Sequence, residues 1–266
     1  MRHLVPVLVA LALTACGGSN TPATSTSPTA PSLPVSSACS VIATASTSAI
    51  TPQIVNGAAC TLSTAPVVLL NLRDTNNQPL ASCSGTVVSA RGIVTAAHCL
   101  SAGVGSVLVY LGSGPELQSA SFAPFPGFTE NNAATPDVGV VITTADIGVA
   151  PIPLLTSRDA TVGESAVIAG WGKDQNNVLA TLRAGVAIIT AVNPAQIETE
   201  YTTDLSSVCQ GDSGGPLLLQ QGGVWAEAGI IAANSTTACS FGSNFYTTIR
   251  TVSAFILSHI PDAAVR

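Results

Sequence analysis

Charge, aromatic rings and basic residues are all scarce in this 266-residue chain: 8% of it is charged, 4% is aromatic, and Lys173 is the only lysine. Eight Lys and Arg against fourteen Asp and Glu give a net charge of -6, so no basic face can be assembled and nucleic acid is excluded as a partner. Long apolar runs are missing as well. Mean hydropathy is +0.49, yet the apolar residues come in short runs broken by Gly, Pro, Asn and Ser, and none reaches the roughly 20 residues of a spanning helix. With 47% hydrophobic residues the chain is neither disordered nor a coiled coil. Its length suffices for one large domain or two small ones.

The longest apolar run, Leu4 to Leu13, follows Met1-Arg2-His3 and reads as a secretory leader over residues 1–15. Without Arg2 the balance is 7 basic to 14 acidic residues, or -7. Leu13-Thr14-Ala15-Cys16, followed by Gly17, resembles a bacterial lipobox. There Cys16 would be diacylated on sulfur, become the new N-terminus and be acylated again; the alternative is an ordinary leader with a chance cysteine. Several acyl chains anchor stably where one does not. The expected location is therefore the bacterial cell envelope, lipid-anchored, with Gly17 rather than Asp pointing to the outer membrane.

Residues 16–38 follow as an uncharged Ser/Thr/Pro-rich stretch that cannot pack, a flexible tether. Residues 39–53 form a propeptide-like segment, and from residue 54 to 266 the texture changes. Short apolar runs (VVLLNL, SGTVVS, SVLVYLG, VGVVITT, ESAVIAGWG, LRAGVAIIT, PLLLQ, VWAEAGIIAA, FYTTI) alternate with turn residues, the rhythm of antiparallel sandwiches or barrels. Only Thr251 to Ile260 has helical spacing, with Val252, Phe255, Ile256 and Ile260 on one side. The reading is all-β with a terminal helix.

Once the leader is gone two histidines remain, and His259 sits near the end of that helix, where a solvated surface role is the plain expectation. His98 is therefore the candidate base, just after the apolar strand Gly92-Ile93-Val94. In Cys209-Gln210-Gly211-Asp212-Ser213-Gly214-Gly215-Pro216-Leu217, three glycines surround one serine, so backbone N–H groups can converge beside its hydroxyl. A serine nucleophile needs a neutral imidazole to take its proton, and the imidazole needs a carboxylate to fix its tautomer. Asp137 opens the apolar run Val138–Ile142, where a carboxylate requires a partner, whereas Asp74, Asp159, Asp174 and Asp204 sit in polar, turn-like settings.

Taken together, IVNG at 54–57, TAAHC at 95–99, DVGVV at 137–141, GWG at 170–172 and CQGDSGGPL at 209–217 resemble the trypsin and chymotrypsin-like serine proteases, in the same order His, Asp, Ser. The resemblance covers residues 54–266. It implies two six-stranded antiparallel β-barrels with a C-terminal helix, a catalytic triad of His98, Asp137 and Ser213, an oxyanion hole from the N–H groups of Gly211 and Ser213, and no metal or other cofactor. It further implies a protein or peptide substrate and a monomer. The competing reading is a catalytically silent binding module on the same fold, displayed on its tether.

The same likeness implies the bridges Cys83–Cys99 and Cys209–Cys239. Cys39 and Cys60 match no bridge of the family but straddle Ile54; they either pair with each other, holding the domain to its anchor, or stay free or separately paired. In relatives, a cut before the Ile-Val motif frees an ammonium that pairs with the carboxylate beside the nucleophile, here Ile54 with Asp212. Gln53 stands where relatives carry Arg or Lys, so another protease cuts, the enzyme cuts itself, or the bond stays intact. The primary pocket is expected to hold Ser207 at its base and Asn234 and Asn244 in place of glycines. That lining favours a small or medium uncharged residue (Ala, Val, Ser or Thr) before the cut and disfavours Arg and Lys. Ala232 and Ala233 replace the usual Ser and Trp, which weakens expected support of Asp137.

Overall fold

The computed structural model describes residues 35–42, 54–60, 65–101, 103–130, 135–174, 176, 179, 181–236 and 239–266. The leader, Cys16, most of the tether and the bond after Gln53 lie outside the described residues. Two closed barrels carry the chain. The first is built from β2 (Val67–Asp74), β3 (Pro79–Val87), β4 (Gly92–Thr95), β5 (Val104–Tyr110), β6 (Leu117–Pro124) and β7 (Gly139–Thr143), closed in the order β2-β3-β4-β7-β6-β5. The second comprises β8 (Ser165–Gly170), β9 (Arg183–Val192), β10 (Gln196–Glu200), β11 (Pro216–Gln221), β12 (Val224–Asn234) and β13 (Ser243–Thr248). It runs β8-β9-β10-β13-β12-β11 and closes because β11 also pairs with β8, while the two-residue β1 (Ala58–Ala59) adds to β9.

Every pairing between these strands is antiparallel, as the short runs and frequent turns predict. β6 and β10 lie in segments too polar to read as strands. β10 alternates between half-buried and buried positions and β6 buries none of its residues fully, so pairing with neighbours rather than apolar content makes them strands. The terminal helix α2 (Ile249–His259) starts two residues before the expected Thr251. It lays Val252 and Ile256 into the core of the first barrel, beside Ile93, Val140 and Ile260.

A short helix falls across the boundary expected between tether and propeptide-like segment. Residues 35–38, expected to be extended and unpacked, belong to the helix α1 (Val35–Ile42), whose Ala38 and Ile42 are buried beside Val186 and Leu182 of the second barrel. Val41 and Ile42 provide apolar surface that the Ser/Thr/Pro stretch before them lacks, and the bridge Cys39–Cys60 closes over it. Cys83–Cys99 and Cys209–Cys239 are also closed. No helix among the described residues is long and apolar enough to cross a membrane.

Candidate active site

β4 ends at Thr95, and a single 3-10 turn, His98–Leu100, follows it. Thr95 pairs with Gly139 of β7, so the residue two positions before Gly139, Asp137, emerges at the same barrel edge as His98. There the carboxylate grips the histidine with both oxygens. Oδ2 lies 2.7 Å from Nδ1, and Oδ1 accepts the backbone N–H of His98 at 2.9 Å. An acceptor at Nδ1 puts the proton there and leaves the Nε2 lone pair free to take another. Both side chains are half-buried.

Ser213 comes from the second barrel, in the turn between Cys209 and β11. Its carbonyl accepts Ser84 N–H of β3 at 2.8 Å and lies 3.8 Å from Cys99 Sγ, so the Ser213 backbone is fastened to the histidine loop of the other barrel. Gly214 N–H and Gly215 N–H are engaged by Ile231 and Asp212 carbonyls. By contrast, Gly211 N–H and Ser213 N–H donate to no protein acceptor among the described residues. Gly211 stands at φ +97°, a conformation that disfavours any side chain. Lys173 N–H binds the Gln210 carbonyl at 2.8 Å, which turns the N–H of that same peptide, on Gly211, the opposite way. Ser84 Oγ fixes the next peptide by donating to Gly211 O at 2.8 Å. Two backbone N–H groups on one loop, of Gly211 and Ser213, are thereby left unengaged among the described residues.

Beneath this loop Asp212 is buried, its oxygens accepting N–H groups of Gly172 and Cys209, each at 2.8 Å. A Cβ on Gly172 would come within 2.6 Å of the carboxyl carbon, which is why the Trp171-flanking glycine is required. Burial pushes the Asp212 carboxyl up to about 7, against the pull of the Cys209 and Gly172 N–H groups and of Arg183. Ile54 is also buried, and Val55 O accepts Ser207 N–H at 3.1 Å, which sets this segment beside the pocket.

Ser207, Asn234 and Asn244 come together in one neutral cluster. Asn244 Oδ1 accepts from Ser207 Oγ at 2.9 Å and from Asn234 Nδ2 at 2.8 Å, while Asn244 Nδ2 donates to Thr199 Oγ1, itself 3.0 Å from the Tyr246 hydroxyl. Ala232 and Ala233 leave open a cavity of about 580 Å³ that reaches His98, Asp137, Phe128 and Val252. Cys83, His98 and Cys99 lie close together as metal ligands do, but both sulfurs are consumed in their disulfide.

These features decide the relationship. A family model described as Trypsin matches residues 54–256. The chain belongs to the trypsin family. Trypsin alpha of Drosophila melanogaster is 29% identical over 232 residues, covering 77% of this chain and 87% of its own. Human Kallikrein-11 is 32% identical over 172 residues, covering 52% of this chain and 58% of its own. A solved structure of HL collagenase superposes with TM-score 0.62 at 21% identity, covering 74% of this chain and 93% of the other, which establishes the shared fold.

Sequence reasoning passed over several residues that hold the site in family geometry. Asp174, assigned to a polar turn, is buried against Arg183, its Oδ2 3.2 Å from Nη2, and Arg183 Nη1 also donates to Gly172 O at 3.2 Å. An arginine leading the apolar run LRAGVAIIT was the available signal. Ser84 and the backbone of Lys173 carried none.

Proposed function

We propose that this member of the trypsin family is a serine endopeptidase acting through Ser213, His98 and Asp137 on proteins or peptides. Ser213 Oγ attacks the scissile carbonyl as His98 Nε2 takes its proton; the oxygen, now negative, is held by Gly211 and Ser213 N–H. His98 gives that proton to the leaving amine, forming the acyl-enzyme, and then deprotonates the water that releases the acid. Asp137 keeps Nδ1 protonated and the ring oriented. The two-oxygen grip of Asp137 on His98 carries this reading, supported by the two unengaged N–H groups of Gly211 and Ser213.

The neutral Ser207–Asn234–Asn244 cluster supports cleavage after Ala, Val, Ser or Thr, since it offers no charge to Arg, Lys or Glu and two asparagines in place of glycines disfavour large aromatics. The leader and Cys16 support a lipid-anchored envelope protein. A cut after Gln53 would free an ammonium to pair with Asp212, and Cys39–Cys60 would keep the cut domain on its anchor. Hydrolysis of peptides that differ only before the scissile bond tests the proposal: Ala and Val are expected to lead, with Ser213→Ala inactive. Preference for Arg, Lys or Glu would overturn the specificity. A folded chain that cleaves none would be the silent binding module.

A further inference from the structure

Few cations are left uncompensated in this acidic protein. Arg91, Arg158, Arg183 and Arg250 pair with Asp146, Glu164, Asp174 and Asp159. Apart from the C-terminal Arg266, the remaining described cations are Arg73 and Lys173, and neither has a carboxylate partner among the described residues. They stand in one place. Both line a cleft of about 390 Å³ that also touches Gly211.

Arg73 projects from the end of β2 with its Nε buried and without a hydrogen-bond partner. Lys173 Nζ reaches the Gln210 side-chain oxygen at 3.1 Å, its one hydrogen bond. Pro79–Ser82 of β3 form the floor. Neither neighbouring carboxylate forms an ion pair with them: Asp74 Oδ1 accepts N–H from Asn76 and Gln78, and Glu116 accepts from the Asn71 amide.

The position of the cleft determines which half of a substrate it meets. Ser207, Asn234 and Asn244 take the side chain before the scissile bond, and Ala232–Asn234 flank that half of the chain. The cleft touches Gly211 and lies against β3, whose Ser84 N–H holds the Ser213 carbonyl, and it shares no lining residue with the cavity at Ala232 and Ala233. A cleft that touches Gly211 but not the pocket side is placed for the half of a substrate beyond the oxyanion donors.

We propose that this cleft binds the leaving-group half of the substrate and selects an Asp or Glu within the first two residues after the scissile bond, with Arg73 and Lys173 as the specificity-determining pair. The proposal rests on the protease reading above. Arg73, whose terminal nitrogens carry no hydrogen bond among the described residues, and the Lys173 ammonium line the same cleft, so a carboxylate entering it meets two positive groups and no paired carboxylate.

The test uses the full chain and quenched peptides with Ala before the scissile bond and Glu, Gln or Lys in the two positions after it. The expected kcat/KM for Glu exceeds that for Gln about three- to tenfold, as two solvent-accessible charge contacts allow, and Lys ranks last. Raising the salt from about 0.05 to about 0.5 M compresses the ratio, because screening shortens to a few ångströms. In the Arg73→Gln/Lys173→Gln variant the Glu and Gln peptides are cleaved equally. A native chain that cleaves both at equal rates, while a fluorophosphonate still labels Ser213, overturns the cleft assignment alone. A folded chain that neither cleaves nor labels overturns the protease reading and this proposal with it.

Discussion

Glu227→Gln is expected to stabilise the protein, and increasingly so as pH rises. Glu227 lies on β12 at the seam between the barrels, fully buried. Thr86 Oγ1 of the opposite barrel donates to its Oε1 at 3.0 Å, while Oε2 has no partner among the described residues. Burial pushes this carboxyl from 4.5 up to about 8, only partly offset by the Thr86 bond. Between those values the folded chain holds a proton that the unfolded chain has released, so stability falls as pH rises. Each pH unit in that window removes about 1.4 kcal/mol. From the ordinary value to pH 7 is roughly two and a half units, or about 3 kcal/mol, and the full window reaches about 5 kcal/mol as a ceiling. Such a loss is large beside the roughly 5–15 kcal/mol that holds a folded protein together. Glutamine keeps the shape and cannot ionise. Urea denaturation at intervals from pH 4.5 to 8.5 should find the two proteins close at the acid end and diverging by several kcal/mol at the alkaline end. Parallel curves would refute the reasoning, since they would mean the carboxyl titrates alike folded and unfolded.

Three other expectations can be checked directly. Asn234→Gly removes one arm of the amide cluster and should raise kcat/KM for Phe before the scissile bond about tenfold or more relative to Ala, read from paired peptides. Gly172→Ala forces a Cβ against Asp212 and should displace the oxyanion donors, lowering kcat by about 10²–10³ with little change in circular dichroism. Arg183→Met leaves Asp174 buried without its cation and should cost about 3–5 kcal/mol in denaturation. Replacing both residues with apolar side chains should recover most of that loss.

Much of the architecture is legible because two periods dominate it. Short alternating runs mark the barrel strands, and one stretch at helical spacing marks α2. What escaped was set by neighbours rather than by local pattern: β10 is polar and becomes a strand between β9 and β13, and α1 gains its hold through Cys60 and β9, far along the chain. At the site, His98, Asp137 and Ser213 sit in dense motifs whose residue types state their chemistry. Ser84, Arg183 and Glu227 act through burial and partners from distant strands, and burial is a property of the fold that no single run of residues displays.

The most direct test of the central claim is covalent labelling of the folded full chain by a fluorophosphonate, with Ser213→Ala and His98→Ala alongside. The account predicts one label per chain, on Ser213, absent from the first variant and slowed about 10³-fold or more in the second. Labelling that survives Ser213→Ala, or a folded chain that takes no label, would contradict it.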